Sequence, residues 1–352
     1  MVLTNFAHDQ LLDLDPWVGQ RQASYRFELI NAVTGEHLGN ITPIRGASLS
    51  HDSGRTIPRT LNLQLGVADQ AAVNTIQDRV LVYMTFPNGT EYPLGKYMWT
   101  DNTRQEFTSG NLGTPTLNDE MFLVDQPISR GIDGVDKAIS KVIQEALTGL
   151  PIKYTVEANN SSCTEAWGIG QFRGSILQAL ALSGDYFNPW FDNTGILRFI
   201  RTFNPVEEIP DLDWDSGNQV MRANILKNDD LLTAPNTFIV ISNASTNQQE
   251  EVIGRATVSE HAPHSVVNRG FEIPAVVDLQ VSTSAAAQQV AQGLVNRQTI
   301  FEVANVMTAP DPRFDGYNVI HWQGSHWLSL SWSLTLIEGS PMSHTIRRAY
   351  PL

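Results

Sequence analysis

Hydrophobic and polar residues alternate most regularly near the end of the chain. Between Leu328 and Ile337, leucine and tryptophan take every second position, and serine or threonine fills the positions between them. A two-residue period predicts a β-strand with one buried and one polar face. The polar positions are Ser329, Ser331, Ser333 and Thr335, and the tryptophans in or near the run are Trp322, Trp327 and Trp332.

The residues before this strand predict a helix followed by two more strands. Apolar residues three and four positions apart mark one helical face: Ala287, Val290, Ala291, Leu294 and Val295. Ser282 or Thr283 is suited to cap its first turn, because a hydroxyl oxygen there can accept a backbone N–H. Thr299–Met307 and Tyr317–Trp322 have the composition of strands, separated by prolines and an Asp-Gly turn. We expect the helix and the three strands after it to form one compact module.

Short alternating runs also fill the first third of the chain. The predicted strands are Tyr25–Leu29, Leu38–Ile41, Leu61–Leu65, Arg79–Phe86, a run including Tyr97–Trp99, Arg104–Thr108 and Met121–Val124. Pro87-Asn88-Gly89 is typical of a hairpin turn. Many short strands divided by turn residues predict a small barrel or sandwich.

The middle of the chain changes to a helical period. Apolar residues from Val135 to Leu147 form an unbroken stripe, with Asp133 placed to cap it and Gly149 to end it. A second predicted helix, Ser175–Ser183, precedes a hairpin at Tyr186–Phe203. Strand patterns then return, at Val220–Leu226, Thr237–Ser242 and Gly254–Ser259. The order of elements is therefore β, α+β and β again.

Charge limits the kinds of partner. The 352 residues include 23 Lys and Arg against 37 Asp and Glu, so the formal net charge is −14. A chain this acidic repels phosphate backbones, which argues against sequence-reading nucleic-acid binding. Charged residues are only 17% of the total, which indicates a largely neutral surface or one buried against partners.

Cysteine content and apolar runs indicate the compartment. Cys163 is the only cysteine, so no disulfide or cysteine zinc site can form within one chain, and folding in a reducing cytosol is expected. We find no signal-peptide pattern after Met1 and no run of about 20 apolar residues. We therefore predict neither a cleaved leader nor membrane insertion.

Two motifs weakly resemble ligand loops. Asp211, Asp213 and Asp215 have calcium-loop spacing, but Ser216 stands where the glycine of that loop belongs and Arg222 where its glutamate belongs. A solvated acidic linker is the simpler interpretation. Gly168-x-Gly170-x-x-x-Gly174 has one residue too many for a dinucleotide loop.

The remaining reactive side chains form no recognisable active site. His261 and His264 flank Pro263 and lack further nearby ligands, while His321 and His326 can pair across a hairpin. Cys163 has no histidine near it in sequence. We predict no catalytic residue, no metal and no cofactor. The clustered tryptophans are interpreted as core or subunit interface, or alternatively as a sugar-stacking surface.

Several of these elements resemble phage tail hub proteins. The resemblance lies in Ser282–Val295, Thr299–Met307, Asp315–His321, Leu328–Ile337 and the final Pro341–Arg348, together with Tyr25–Gly39 and Arg173–Phe203. It covers most of the chain after the first 23 residues and rests on the order of elements. Related proteins are the baseplate hubs of contractile tails and the spike hubs of secretion systems.

The resemblance implies a domain plan. It predicts a mainly β fold with an α+β insert, in which two small tube-like β-barrel domains flank an α+β domain. The first barrel is expected at residues 24–128, the α+β domain at 129–209 and the second barrel, with the Ala-rich helix, at 210–352. Residues 1–23 are expected to be a docking arm, or else a frayed terminus.

The resemblance also implies a structural, non-enzymatic role in the virion. Such a hub is a homotrimer at the tail tip, assembled in the host cytoplasm, that joins the sixfold distal tail ring to a threefold tip or fibre. Its channel contacts the tape measure protein and passes DNA as cargo. Ser329, Ser331, Ser333 and Thr335 would then line the lumen or a subunit interface. The alternatives are a carbohydrate- or cell-wall-binding tail tip module and a cell-wall hydrolase.

Overall fold

The computed structural model describes most of the chain after the first 22 residues. The described residues are 23–44, 46–66, 69, 73–101, 104–107, 110–113, 115–216, 220–227, 234–242, 252–298 and 302–351. The predicted docking arm, up to residue 22, lies outside them. Within the described residues, no helix is both long enough and apolar enough to cross a membrane.

Strands dominate the first and last parts of the chain. The first nine are β1 (Ser24–Asn31), β2 (His37–Ile41), β3 (Ala47–Asp52), β4 (Arg59–Leu63), β5 (Asp78–Thr85), β6 (Glu91–Asp101), β7 (Arg104–Phe107), β8 (Gly110–Gly113) and β9 (Thr116–Asp119). The strands after residue 210 are β15 (Leu212–Asp213), β16 (Val220–Lys227), β17 (Thr237–Ser242), β18 (Val252–Thr257), β19 (Pro274–Asp278), β20 (Glu302–Thr308), β21 (Val319–Trp322), β22 (Ser325–Thr335) and β23 (Met342–Arg348).

The middle of the chain carries short strands and most of the helices. Its strands are β10 (Ile132–Asp133), β11 (Lys153–Val156), β12 (Ala166–Trp167), β13 (Trp190–Phe191) and β14 (Ile196–Phe199). The helices are α1 (Met121–Val124), α2 (Ile139–Leu147) and α3 (Arg173–Ser183), followed later by α4 (Val266–Arg269) and α5 (Ser284–Gln298).

One 13-stranded sheet joins the first and last β regions. Its order is β16–β20–β23–β22–β3–β4–β9–β6–β5–β1–β2, with β21 paired to β22 and β15 to β21. The junction is the antiparallel pairing of β3 with β22, where His51 lies opposite Trp332 and Leu49 opposite Leu334. One apolar core lies behind both regions and contains residues of each, Leu49 and Ile346 among them. The predicted mainly β class with an α+β insert is confirmed, whereas the division into two barrels stays a prediction.

The Ala-rich helix α5 packs in a different place from the one the sequence suggested. It covers a separate three-stranded sheet, β18–β17–β19, with its own core, rather than the strands β20 to β23 that follow it. The helix directly follows β19, which runs parallel to β17, so it returns across the sheet just completed. Gly254 on β18 permits this close approach, because a Cβ there would meet the backbone of Ala287. The predicted single module of helix and following strands is therefore wrong.

The α+β insert encloses a third core. Helices α2 and α3 pack against the sheet β11–β14–β13, and the predicted turn at residues 192–195 connects β13 to β14. Two boundaries differ from the predictions. Met121–Val124 is the helix α1 rather than a strand, since the Asp119 carboxylate accepts the Met121 N–H and turns the chain there. Helix α2 begins only at Ile139, because Asp136 has φ +61° and Asp133 accepts the Val135 N–H in a local turn instead of capping the helix.

Candidate functional site

Uncharged polar side chains form a continuous row across the outer face of the large sheet. Ser333 of β22 lies opposite Ser343 of β23 on one side and Ser50 of β3 on the other. Ser50 lies opposite Thr60 of β4, and Thr60 lies opposite Asn118 of β9. Directly opposed residues share one face of a sheet, so these five side chains point the same way. We call the surface they define, extended by neighbours in register, the hydroxyl–amide face.

Many neighbours in register are also hydroxyl or amide residues: Asn305, Thr345, Ser331, Thr335, Ser48, Asn62 and Thr116. The exceptions are Asp52 opposite Ser331, Met307 opposite Ser343 and Met98 opposite Asn118. Several of these side chains hydrogen-bond along the surface: the Thr345 hydroxyl donates to Asn305 Oδ1 at 3.2 Å, and the Thr60 hydroxyl donates to Asn118 Oδ1 at 3.1 Å. The hydrogen bonds hold these side chains against the sheet. The result is a smooth polar surface without formal charge along this row.

The face is concave in two places. A hollow of about 510 Å³ lies over β20, β23, β22 and β3, where Ser331 and Ser343 are among the lining residues. Its charged lining residues are Arg222, Asp52 and Arg55, and the last two form an ion pair at 3.1 Å. A second hollow of about 290 Å³ includes Ser48, Asn62 and Thr335.

Three of the four residues predicted for a lumen or interface lie on this face. Ser331, Ser333 and Thr335 point outward, while Ser329 is 1% exposed and lies inside the protein. A β-bulge between Ser329 and Ser331 changes the register, and the strict alternation of the sequence does not reveal it. Ser329 is therefore removed from the predicted surface.

The three tryptophans do not form a surface site. Trp322, Trp327 and Trp332 are 5%, 1% and 3% exposed and belong to the main core. The indole N–H of Trp327 donates to the Trp322 carbonyl at 2.9 Å, and that of Trp332 donates to the Asp315 carbonyl at 2.7 Å. Of the predicted alternatives the core position is confirmed, and the prediction of interface aromatics is corrected. The sugar-stacking alternative loses its support, because all three indole rings are buried in the chain.

The carboxylates of the acidic segment bind a hairpin. Asp211 accepts the Val319 N–H at 2.8 Å, Asp213 lies 3.1 Å from His321 Nδ1, and Asp215 accepts the N–H groups of Gln323 and Gly324. The carboxylates thus bind the strand β21 and the turn after it. Across the described ranges, no group of three or more His, Cys, Asp or Glu side chains is placed to hold a metal ion.

The other reactive residues are placed as follows. His321 and His326 face each other across the hairpin with ring centroids 5.7 Å apart, as predicted. His264 is buried, and burial lowers its pKa to about 4. Cys163 is buried too, and burial raises the pKa of its thiol, which disfavours the nucleophilic thiolate.

A polar cluster that sequence reasoning missed connects three parts of the chain. Arg59 of β4 is fully buried, forms an ion pair with Asp315 and donates to Asn193 Oδ1 at 2.6 Å. Asp315 also accepts the indole N–H of Trp190 at 3.0 Å. Asn193 in turn donates to the carbonyl of Phe314 at 2.9 Å. We call Arg59, Asn193, Trp190 and Asp315 the junction cluster.

The junction cluster joins the first β region, the α+β insert and the last β region. Burial raises the pKa of Asp315, while the positive charge of Arg59 favours its ionised form. In sequence, Asn193 and Asp315 lie in Asp-Asn-Thr-Gly and Asp-Gly segments and are interpreted only as turn residues. The sequence offers one signal for the junction cluster, because Arg59 occupies a position on the apolar, inward-facing side of a strand.

The fold of the described residues is similar to that of solved phage tail proteins and of secretion-system spike proteins. Solved structures with this fold include the 43 kDa tail protein of prophage MuSo2 from Shewanella oneidensis. It is 13% identical, with a TM-score of 0.58 over 92% of this chain and 98% of that chain. The prophage tail protein gp18 from Listeria monocytogenes is 7% identical, with a TM-score of 0.59 over 92% of this chain and 94% of that chain.

The fold extends to secretion machinery. An Escherichia coli component of the type VI secretion system, described as structurally similar to the T4 tail proteins gp27 and gp5, is 8% identical, with a TM-score of 0.50 over 95% of this chain and 76% of that chain. No protein-family model and no curated protein matches the sequence. The chain therefore has the tail-hub fold, and the predicted resemblance is confirmed at the level of the fold.

Proposed function

We propose that the protein is a structural, non-enzymatic subunit of a phage tail, acting as a homotrimeric hub near the tail tip. In this role it joins the sixfold distal tail ring to a threefold tip or fibre and forms part of the channel. Its partners are other copies of itself, the distal ring, the tape measure protein and tip or fibre proteins. DNA is only passing cargo.

The observation that carries this proposal is the hydroxyl–amide face. A basic wall would hold a phosphate backbone, and a strongly acidic wall would repel it. Neutral hydroxyl and amide groups do neither, and they stay hydrated when no cargo is present. The concave shape and the low charge of this face fit a wall that a polymer slides past: the charged residues of the larger hollow are Arg222 and the ion-paired Asp52 and Arg55.

The shared sheet supports the proposed symmetry. Two β regions joined through β3 and β22 contribute two parts of one sheet per chain, so three chains would contribute six. We retain the proposed division into barrel domains at 24–128 and 210–352 around the insert at 129–209, with the helix α5 placed on its own sheet.

Size-selective labelling tests the position of the hydroxyl–amide face. In a Ser333→Cys variant, we expect the new thiol in the assembled particle to react with a small maleimide and to resist a maleimide on a bulky polymer. Lys141→Cys, exposed on α2, is the matched control and should react with both. The buried Cys163 contributes little background. Equal reaction of both variants with the bulky reagent contradicts the channel position.

Native mass measurement tests the trimer. We expect the mass of a complex of three chains, either for the purified chain at micromolar concentration or for the hub released from virions. A chain that stays monomeric and is absent from virions contradicts the proposal.

A further inference from the structure

A cavity of about 360 Å³ lies where the large sheet, the α+β insert and the helix α5 meet. This volume is within the range of pockets that bind small ligands. Most of its wall is apolar, from Leu182, Phe187, Leu294, Leu328 and Leu330. Two arginines, Arg297 of α5 and Arg347 of β23, interrupt this apolar wall.

Both guanidinium groups keep an unused donor. Arg347 is 2% exposed; its Nη2 donates to the Asn296 carbonyl, and its Nε–H has no partner. Arg297 donates from Nη1 to the Tyr186 carbonyl at 2.8 Å, and its Nη2 group has no partner. Carbonyl oxygens carry no formal charge, so these contacts leave the positive charges uncompensated. Burial lowers the pKa of both groups, that of Arg347 to about 10.

The nearest opposite charge is already engaged. Asp185 influences Arg297 electrostatically, but its carboxylate accepts hydrogen bonds from Arg201 at 3.2 Å and from the Thr202 hydroxyl. A buried cation without a close counter-ion is costly, and an anion that binds beside it removes that cost.

Tyr317 forms part of the cavity wall near both arginines, which act electrostatically on its hydroxyl group. Its ring stacks on Phe187 at 4.2 Å, and its hydroxyl donates to the Ser53 carbonyl at 3.2 Å. Its backbone has φ +57°, a conformation that is strained for an aromatic residue and is often found at binding sites. The wall is therefore fixed before any ligand enters.

We propose that this cavity binds a monoanion, a carboxylate attached to a short apolar body. The carboxylate oxygens would accept from the Arg347 Nε–H and the Arg297 Nη2 group, and the leucine and phenylalanine side chains would contact the body. Asp52 also lines the cavity but is paired with Arg55, so the two guanidinium groups are the uncompensated charges there. A carboxylate offers two oxygens for the two free arginine donors, whereas a phosphate dianion would bring a further charged oxygen against the apolar wall. The carboxylate comes either from a free organic acid or from the C-terminus of a peptide ending in leucine.

Calorimetric titration of the full chain with hexanoate tests this site, and hexanol provides the same body without the charge. We expect hexanoate to bind and hexanol to bind at least tenfold more weakly. Arg297→Gln should weaken hexanoate binding at least tenfold. Arg269→Gln is the matched control, because Arg269 also has unpartnered donors but lies outside this cavity, and it should bind as the native chain does.

A cavity-filling variant covers the case in which an arginine variant fails to fold. Leu330→Trp keeps both guanidinium groups and should abolish binding by occupying the space for the apolar body. Tighter binding of a peptide with a free C-terminal leucine than of its amide identifies a chain end as the source, and binding of hexanoate alone identifies a free acid. Equal binding of hexanoate and hexanol, or equal affinities of the Arg297→Gln and Arg269→Gln variants, overturns the proposal. None of these measurements depends on the tail-hub role.

Discussion

Arg59 is the residue at which three parts of the chain meet. In an Arg59→Met variant, Asp315 loses its ion-pair partner and Asn193 Oδ1 loses its donor, while the contacts with Trp190 and Phe314 remain. Removing one member of a buried ion pair costs about 3–5 kcal/mol, because the other charge remains without a partner. We expect a loss of this size in the free energy of unfolding, measured by urea denaturation. Arg55→Met, which removes an exposed arginine paired with Asp52, should change it by less than about 1 kcal/mol. Similar losses in both variants would contradict the assigned role of Arg59.

The buried histidine His344 predicts acid sensitivity. Burial lowers its pKa to about 3, below the value of 6.5 for an exposed histidine, so below pH 6.5 the unfolded chain binds a proton that the folded chain does not. Neutral, buried His344 therefore does not lower the free energy of unfolding above pH 6.5. As the pH decreases from 6.5 towards 3, this residue lowers the free energy of unfolding by about 1.4 kcal/mol per pH unit. We expect His344→Gln to reduce the pH slope of unfolding by this amount between pH 6 and 4. His261→Gln, at an exposed position, is the control; equal slopes in the native chain and in His344→Gln would refute the prediction.

Asp119 acts in the opposite direction. Burial raises its pKa to about 7, so between pH 3.8 and 7 the folded chain binds more protons at this site, and its contribution to stability increases as the pH falls. Because Asp119 is present in both the native chain and the His344→Gln variant, its effect cancels in the difference between their pH slopes.

At the scale of elements, the cap of α5 can be assigned to one residue. The sequence left Ser282 and Thr283 as alternatives, and in the structure the Thr283 hydroxyl accepts the Ala286 N–H at 3.1 Å. We expect Thr283→Ala to cost about 1 kcal/mol in thermal or urea unfolding and Ser282→Ala to cost less than about 0.5 kcal/mol. A larger effect at Ser282 would contradict this assignment.

The packing of α5 on β18 depends on Gly254. In a Gly254→Ala variant the new methyl group meets the backbone of Ala287, so the helix must move away from the sheet. Overpacking of this kind costs about 1–3 kcal/mol or more, which urea unfolding can measure. Gly168→Ala is the matched control, since open space surrounds a Cβ there, and its stability should stay within about 1 kcal/mol of the native chain. If the two variants are equally stable, the close approach is not important for packing.

Local sequence patterns predicted the helices, strands and turns well, but they predicted the packing of these elements poorly. The alternation in β22, the stripe of α2 and the turn at residues 192–195 arise from neighbouring residues, and the structure contains all three. The partner of α5 and the contacts of Arg59 involve residues far apart in sequence, and no local period encodes them. Ser329 shows the remaining limit, because one bulge moves a side chain to the other face without any change in the pattern.

At the scale of the whole molecule, the large sheet ends in two open edges. Strands β2 and β16 each pair on one side only within the described part of the chain. Unpaired edges are templates for another strand, so we expect β16 of one copy to lie next to β2 of a neighbour in the trimer. Hydrogen exchange should then slow in both strands on assembly, while the hairpin tip at Asn88 and Gly89 remains unchanged. Unaltered exchange in both edges would place the subunit contact elsewhere.

The pairing of β3 with β22 has a consequence for synthesis on the ribosome. Ser50 and Ser333 are 283 positions apart (333 − 50), so β3 emerges long before its partner strand exists. At the usual elongation rates of about 5–20 residues per second, the unpaired edge of the nascent chain waits for roughly 15–60 s. During that interval Leu49 and its neighbours lack the core residues of the last β region, such as Ile346, and contacts this distant are slow to form. The growing chain thus passes through a stage in which it can associate with other nascent chains or with a chaperone before it reaches its native topology.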